Sequence, residues 1–354
     1  MTLESTRAEP LLTSAFDYPL PADRIAQEPL AERDASRLLL VGQDGALHDH
    51  RFTDVASLLR PGDLLVANET RVRHARLHGR VNGGRAVELL AVERREDGDY
   101  LCLARPSRHL PAGSRVTLGG ELQATVIAES GEHAGGRIVR FHADDVDAAI
   151  ERTGVAPLPP YIHRRLDEPE RYQTTYATGP AASAAAPTAG LHFTDAVLNG
   201  LRERGIGWST VRLQVGLATF APIRTRRVEA HEMHAEAFDL PEATAAAIRR
   251  TRQAGGRVVA VGTTVTRVLE TCAEEDGTVK AGSGTTRLFI QPGHRFRAVD
   301  GLLTNFHQPR SSLLVLLASL IGMDAWRDAY EHALRNGYRF LSFGDCMLCW
   351  SANR

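Results

Sequence analysis

The stretch Arg257-Val258-Val259-Ala260-Val261-Gly262-Thr263-Thr264 decides the fold class, because a short apolar run leads directly into a glycine and two threonines. Such a run predicts a buried strand, and the spacing of the residues that follow predicts a helix. The alternation of strand and helix continues outward over residues 208–216, 241–254, 298–305, 311–320 and 324–336. It predicts an α/β layer or barrel built mainly on parallel strands.

Shorter segments complete this main unit. Polar and apolar residues mix at helical spacing over residues 49–60, which predicts a helix there. Apolar runs bounded by turn residues predict strands over residues 36–41, 64–68, 288–290 and 338–345.

Residues 79–141 have a different pattern, in which short alternating runs are separated by glycine-containing turns at 82–84, 97–98 and 119–120. Regular strand–turn–strand spacing is typical of a small barrel or sandwich. The sequence therefore predicts a flexible N-terminal lead (1–12), an α/β main domain that carries catalysis (13–78 and 154–354) and an inserted all-β barrel domain (79–153).

The composition argues against several classes of protein. The chain of 354 residues has 42 Lys and Arg against 43 Asp and Glu, so a nucleic-acid partner must meet a local basic patch. The longest apolar run, residues 313–323, is shorter than a membrane span. Residues 1–14 lack the apolar core of a secretory signal, and four unevenly spaced cysteines form no disulfide framework. We expect a cytoplasmic protein with no membrane partner.

The octet Ala186-Pro187-Thr188-Ala189-Gly190-Leu191-His192-Phe193 follows a run of small residues, and a helix-like segment with Thr194 or Asp195 as N-cap comes next. Small residues let a ligand approach the backbone, and a helix N-terminus favours anions. Histidine has an unperturbed pKa near neutrality, so His192 is expected to be able to work in acid/base chemistry near neutral pH. A tight turn with a packed histidine explains the same residues equally well.

Polar side chains follow several predicted strands. Ligands of α/β proteins bind at the carboxyl ends of strands, so these side chains are expected to converge on one pocket, although each alone also fits a cap or turn. The residues are Asn68, Gln214, Thr263, Thr264, Asn305, His307 and Asp345.

Two further motifs are weaker. Cys346 and Cys349 form a C-x-x-C within an apolar strand, where residues three apart face opposite sides, so two buried thiols are expected rather than a metal site. His231 and His234 share a face if helical. With Asp345 they suggest a metal-dependent hydrolase as an alternative, and a solvated or hydrogen-bonded pair explains them as well.

Taken together, the motifs are similar to the S-adenosylmethionine:tRNA ribosyltransferase-isomerase family of queuosine biosynthesis. The resemblance implies a mixed α/β, barrel-like main domain with an inserted small β-barrel. It also implies transfer and isomerisation of the ribosyl part of S-adenosylmethionine onto 7-aminomethyl-7-deazaguanine in a tRNA anticodon, giving epoxyqueuosine-tRNA, adenine and methionine. The matching stretches are residues 36–40, 61–77, 157–162, 171–176, 186–193, 215–220, 231–236, 261–270, 304–309 and 338–347.

The resemblance also implies roles for individual residues, with S-adenosylmethionine as cosubstrate, tRNA as partner, no metal, and a monomer. The expected acid/base and positioning groups are His192, His307, Asp345 and Gln214. The expected cosubstrate-binding residues are Thr188, Ala189, Gly190, Gly216, Thr219, Phe220, Thr263, Thr264 and Asn305. The expected substrate-binding residues are Asn68, Arg71, Arg76, Arg267, His231 and His234, with the arginines on the methionine carboxylate or on tRNA phosphates.

The chain departs from the family pattern at several positions. Gln214 occupies a position where the family usually has histidine, and glutamine exchanges no proton near neutral pH. Two further alternatives follow: S-adenosylmethionine chemistry on a small acceptor other than tRNA, and a tRNA-binding relative without catalysis. The other departures are Ala218, Val265, Thr266, Thr285, Gln291, His294 and Gln308.

Overall fold

A computed structural model describes residues 10–82, 84–119, 122–132, 134–179, 181–216 and 221–352. The strands of this part are, in chain order, β1 (Arg37–Val41), β2 (Leu47–Arg51), β3 (Leu64–Asn68), β4 (Arg71–Val72), β5 (Arg76–Val81), β6 (Arg85–Arg94), β7 (Tyr100–Arg105), β8 (Arg115–Leu118), β9 (Gln123–Glu129), β10 (Gly136–His142), β11 (Ala181–Ser183), β12 (Gly207–Leu213), β13 (Glu236–Leu240), β14 (Val258–Val261), β15 (Gly282–Thr286), β16 (Gly301–Asn305) and β17 (Cys346–Trp350). The α-helices are α1 (Val55–Leu58), α2 (Val146–Thr153), α3 (Asp195–Glu203), α4 (Glu242–Gln253), α5 (Thr263–Thr271), α6 (Ser312–Ile321) and α7 (Met323–Arg335).

The main sheet has nine strands in the order β15-β13-β12-β3-β14-β16-β17-β1-β2. The central pairs β12–β3, β3–β14 and β14–β16 are parallel, as is β1–β17. The other four pairs are antiparallel. The sheet is therefore mixed rather than mainly parallel: β1 and β2 form a hairpin, and β17 returns antiparallel to β16.

The central strands β3, β14, β16 and β17 are buried along their whole length. One face packs on α4, α5, α6 and α7, and the other on α1 and α3. A strand covered on both faces needs apolar side chains on both, which is why these segments read as continuous apolar runs.

The inserted barrel is confirmed as a closed ring of antiparallel strands in the order β10-β7-β6-β5-β8-β9. Its interior holds buried side chains such as Leu89 and Tyr100, and α2 packs against them through Ala149 and Ile150. The first barrel strand begins at Arg76, whose partner in β6 is Leu90. The barrel thus starts three residues before the predicted boundary at residue 79.

Two predicted elements are wrong, and a third is only partly correct. Residues 288–290 are an irregular segment, and residues 338–345 fold back on themselves, with the Asp345 carboxylate accepting the N–H of Arg339 at 2.8 Å. The last strand therefore starts only at Cys346. The predicted helix 49–60 is mostly strand β2 and a 3-10 turn, so only α1 remains helical.

Within the described residues, no helix has both the length and the apolar character needed to cross a membrane.

Candidate active site

A cleft of about 610 Å³ lies at the carboxyl ends of the central strands. Gly262 follows β14 and Asn305 ends β16, so both stand where parallel strands direct ligands. The lining residues are Tyr161, Ala186, Pro187, Thr188, Ala189, Val215, Gly262, Thr263, Thr264, Thr304, Asn305, Phe306, His307, Gln308, Ser311, Leu313, Leu341 and Ser342. Of the seven predicted strand-end residues, four line the cleft: Thr263, Thr264, Asn305 and His307.

The octet forms one wall of this cleft. Thr188–His192 is a 3-10 helix, and Thr188 and Ala189 line the cleft. The predicted cap is confirmed: Thr194 begins α3 and its hydroxyl accepts the N–H of Val197 at 3.3 Å. Gly190 is buried and does not line the cleft; a Cβ there would lie 2.0 Å from the hydroxyl of Tyr176. Glycine at this position therefore serves close packing.

Gly262 lines the cleft beside Ala189 of the octet. Its φ of +94° belongs to the left-handed region that favours glycine, and it turns the chain from β14 into α5. The turn brings Thr263 and Thr264 to the cleft. The hydroxyl of Thr264 is buried and has no hydrogen-bond partner among the described residues. An unpaired buried hydroxyl is costly, so it is available for a ligand.

Asn305 and His192 form a buried polar contact at the site. Nδ2 of Asn305 lies 3.2 Å from Nε2 of His192, and Nδ1 of that ring lies 2.8 Å from the hydroxyl of Ser36. Burial, together with the charges of Arg33 and Arg339, lowers the pKa of His192 to about 4, so the ring is neutral at pH 7. Since an amide nitrogen only donates, Nε2 accepts and Nδ1 carries the proton. His192 is thus a packed histidine, as the second interpretation predicts. It does not line the cleft itself, but it contacts Asn305, which does.

The other amide atom of Asn305 points to a ligand. Asn305 is 3% exposed, and its Oδ1 is buried without a partner among the described residues. Its Nδ2 also contacts the carbonyls of Leu341 and Asp345, at 3.2 and 3.4 Å. The amide is therefore held in place with one acceptor free.

His307 lies in the cleft itself. Thr304 contacts its Nε2 at 3.0 Å, which leaves Nδ1 as the nitrogen available for proton exchange. Burial lowers the pKa of His307 to about 3. Its backbone is fixed as well, since its N–H donates to the Tyr330 hydroxyl at 2.8 Å and its carbonyl accepts from Tyr18.

A second cavity of about 510 Å³ adjoins the cleft through the shared residues Thr263, Thr264 and Leu313. His231 lines it and packs edge-on against Phe289; burial and the neighbouring His234 lower the pKa of His231. His234 lines the same cavity and is exposed.

Arg267 and Glu236 form a buried ion pair at the wall of this second cavity. Arg267 also donates to the carbonyls of Leu288 and Thr286, at 2.9 and 3.4 Å. The other carboxylate oxygen of Glu236 accepts the N–H of Gly216 at 3.0 Å. Arg267, predicted to bind an anionic substrate, is thus already neutralised within the protein.

Other predicted site residues lie elsewhere. Asp345 accepts the N–H groups of Arg37 and Arg339, both at 2.8 Å, and burial raises its pKa. Asn68 is buried and bonds Thr70 and the backbone of Leu213. Neither is among the residues that line the cleft.

Gln214 and two predicted arginines are also outside the cleft. Gln214 is exposed and is not among the described residues that line the cleft. Arg71 pairs with Glu170 at 2.6 Å, and Arg76 donates to the carbonyl of Leu158 at 3.1 Å. The remaining predictions, Thr219 and Phe220, lie outside the described residues.

Tyr161, Leu341 and Ser342 are among the cleft-wall residues that sequence reasoning missed. The hydroxyls of Tyr161 and Ser342 lie 2.7 Å apart. Leu341 has a φ of +70°, a strained value for a leucine, and its carbonyl holds Asn305. Nothing in the local sequence signals such a leucine.

The cysteines and the histidine pair bear no sign of a metal centre. Cys346 and Cys349 are buried free thiols of β17. Across the ranges that the structure describes, no three His, Cys, Asp or Glu side chains come close enough to hold a metal ion. His231, His234 and Asp345 form no such cluster, so the hydrolase alternative lacks its site.

Comparison with known proteins agrees with this geometry. A family model described as "Queuosine biosynthesis protein" matches residues 13–349. An S-adenosylmethionine:tRNA ribosyltransferase-isomerase from Gloeobacter violaceus is 51% identical over 95% of both chains. Its counterpart from Pelotomaculum thermopropionicum is 50% identical over 95% of this chain and 98% of the relative.

A solved structure agrees too. The crystal structure of an S-adenosylmethionine tRNA ribosyltransferase from Thermotoga maritima has 35% identity and a TM-score of 0.54, and the match covers 95% of this chain and all of the other. On this evidence the chain belongs to the queuosine biosynthesis protein family of S-adenosylmethionine:tRNA ribosyltransferase-isomerases.

Proposed function

We propose that this enzyme transfers and isomerises the ribosyl part of S-adenosylmethionine onto the amine of 7-aminomethyl-7-deazaguanine in a tRNA anticodon. The product is epoxyqueuosine-tRNA, and adenine and methionine leave. The observation that carries the proposal is the cleft in which Asn305 Oδ1 and the Thr264 hydroxyl are buried without partners beside the neutral ring of His307.

The chemistry needs a neutral base. The sulfonium acidifies the C5′–H of the ribose, and a positioned group must remove that proton. His307 is neutral at pH 7 and lines the cleft, so it is the candidate base. A base works best when its pKa lies near the working pH, so this role requires the bound substrate to raise the pKa of His307 above about 3. Thr304 contacts Nε2, so Nδ1 is assigned to proton transfer.

His192 acts through another residue in this proposal. Both of its ring nitrogens are engaged, so it holds Asn305 rather than taking the substrate proton. Asn305 Oδ1 then accepts a hydrogen bond from a ribose hydroxyl or from the acceptor amine. Thr188, Thr263 and Thr264 supply further polar contacts along the wall.

The second cavity suits the adenine ring. Phe289, Leu288 and Ile290 give it apolar walls, and His231 adds an aromatic edge. Adenine leaves more readily when a ring nitrogen is protonated, and a partly buried histidine beside it can supply that proton. His231 therefore keeps its predicted place in binding, as a neighbour of the leaving group.

The test is a chromatographic assay for adenine. The protein is incubated with S-adenosylmethionine, with and without tRNA that carries 7-aminomethyl-7-deazaguanine. Adenine release that requires this tRNA is expected, and it would show that glutamine at position 214 is compatible with turnover. Release with a small amine instead of the tRNA would indicate another acceptor, and no release under either condition would overturn the proposal.

A further inference from the structure

A small third pocket adjoins the main cleft at Ser342, which lines both. Two guanidinium groups stand in its wall, those of Arg33 and Arg171, and Ser36 and His192 complete the polar part. We call it the arginine pocket. None of the described residues that line it is acidic.

The two arginines bind only backbone carbonyls. Arg33 donates to the carbonyls of Leu191 and Glu170, at 3.2 and 2.9 Å. Arg171 donates to those of Ala31 and Leu30, at 3.1 and 2.6 Å. These bonds fix both guanidinium planes without neutralising their charge. The Nε of Arg171 is in addition buried with no partner in the described part of the chain.

The surroundings add positive charge. Arg339 lies close enough for its charge to lower the pKa of His192, and its Nη1 is also buried and unpaired among the described residues. Burial and the charge of Arg171 lower the pKa of Arg33. Mutual repulsion of this kind is relieved when an anion binds between the cations.

The nearby carboxylates are committed elsewhere. Glu170 pairs with Arg71 at 2.6 Å, and both oxygens of Asp345 accept backbone N–H groups. They still compensate part of the positive charge, Glu170 that of Arg33 and Asp345 that of Arg339. The unpaired N–H groups of Arg171 and Arg339 remain as donors for an anion from outside the chain.

We propose that the arginine pocket binds a phosphate of the tRNA substrate, beside the nucleotide that enters the cleft. This assignment rests on the proposed function. A carboxylate of S-adenosylmethionine offers similar chemistry, but it carries an ammonium group two bonds away, and the pocket has cations and no acidic side chain to receive one. A phosphodiester is an anion without such a neighbour.

A second basic area continues from the arginine pocket along the chain. Arg76, Arg164 and Arg165 line a large cavity together with Pro169, only two residues before Arg171. Arg164 is paired with Glu28, although both side chains are largely exposed, where such a pair is weak. These arginines place local positive charge on a chain of nearly zero net charge, and Asp167 lines the same cavity.

The experiment measures RNA binding and turnover separately with the full-length protein. The probe for binding is a fluorescein-labelled tRNA anticodon stem-loop, titrated by anisotropy at a series of salt concentrations. The variants are Arg171→Gln, Arg33→Gln and the charge-preserving Arg171→Lys. The control is Arg249→Gln, an exposed arginine of α4 paired only with Glu242 in the described structure. Thermal unfolding checks that each variant is folded.

Loss of one phosphate contact predicts that Arg171→Gln weakens RNA binding about tenfold and reduces the slope of log Kd against log salt by about 0.7. Arg33→Gln should act in the same direction, Arg171→Lys should retain most of the slope, and the KM for S-adenosylmethionine should stay unchanged. An unchanged RNA affinity in folded variants would overturn the proposal. A variant with a raised KM for S-adenosylmethionine but an unchanged KM for the decarboxylated analogue would overturn it as well. That result would place the methionine carboxylate in the pocket.

Failure of the two proposals can be told apart. Binding of the stem-loop needs no turnover, so its dependence on Arg171 is read even if wild-type protein releases no adenine. Conversely, the protein could release adenine in a tRNA-dependent way while Arg171→Gln leaves the RNA affinity unchanged. That result would support the proposed reaction and contradict the proposed phosphate site.

Discussion

Asn305 donates from Nδ2 to Nε2 of His192 across 3.2 Å, while its own Oδ1 remains buried without a partner in the described structure. One amide therefore connects a histidine outside the main cleft to a free acceptor inside it. Both ring nitrogens of His192 are hydrogen-bonded, so in the proposed reaction His192 orients Asn305 and takes no proton from the substrate.

Asn305→Ala is expected to reduce kcat/KM for adenine release by about 100-fold, because it removes the free acceptor and leaves a buried ring nitrogen unpaired, at about 1–3 kcal/mol. The measurement is steady-state release from S-adenosylmethionine with modified tRNA. The matched control is Asn199→Ala, an exposed asparagine of α3. Near-normal kcat/KM in the folded Asn305→Ala variant would show that the Asn305 amide does not contribute to the reaction.

His192 makes stability depend on pH. Its pKa falls from 6.5 to about 4 on folding, so the unfolded state binds the proton more readily. The free energy of unfolding therefore declines as the pH drops from 6.5 toward 4, by about 3 kcal/mol for this residue. In urea unfolding across this pH range, the free energy of unfolding of His192→Gln should decline less steeply than that of wild type. The decline that remains includes the contribution of His307.

The matched control for this measurement is His78→Gln, which replaces an exposed histidine of the barrel. It should leave the pH dependence of wild type in place. Parallel curves for wild type and His192→Gln would contradict burial of a neutral ring at position 192.

The Glu236–Arg267 pair should reveal the cost of an unpaired buried charge. Both side chains are 5% exposed, so Glu236→Gln leaves a guanidinium without its counter-ion and is expected to destabilise by about 3–5 kcal/mol. Adding Arg267→Met should restore most of the lost free energy of unfolding, measured in urea.

The exposed pair Glu242–Arg249 is the comparison for that experiment. Glu242→Gln should change stability by about 0.5 kcal/mol or less, as exposed pairs do. If the double variant at positions 236 and 267 were as unstable as Glu236→Gln alone, the unpaired charge would not be the cause.

Gly190→Ala should destabilise by about 1–3 kcal/mol through overpacking. The added methyl would lie 2.0 Å from the hydroxyl of Tyr176 and 2.8 Å from Thr174 Cγ2, in a buried segment. Combining it with Tyr176→Phe should recover part of the loss, since the closest atom is then gone. Gly200→Ala in α3 has open space and should instead stabilise by about 0.5–1 kcal/mol. Equal effects at the two glycines would contradict close packing at position 190.

Much of the fold was accessible from the sequence. Strands β3 and β14 were predicted because a strand covered on both faces must be apolar throughout, and the barrel because its turns recur at short spacing. The prediction of a mainly parallel sheet failed at β2 and β17, since apolar runs do not state the direction in which a strand pairs. The predicted strand over residues 338–345 is wrong because the conformation of this segment depends on hydrogen bonds that Asp345 accepts from Arg37 and Arg339.

The kinds of side chain at the site could be read from the amino-acid pattern: the octet, the two threonines after β14, Asn305 and His307. Local pattern suffices there, because strand ends of an α/β sheet meet at one edge. Which charged side chains are paired with an opposite charge depends on the three-dimensional fold. Glu236 forms an ion pair with Arg267, whereas the hydrogen bonds of Arg33 and Arg171 go to backbone carbonyls. All of these contacts join residues that lie far apart in the chain. Charge compensation is a matter of distance in space, which sequence spacing does not encode.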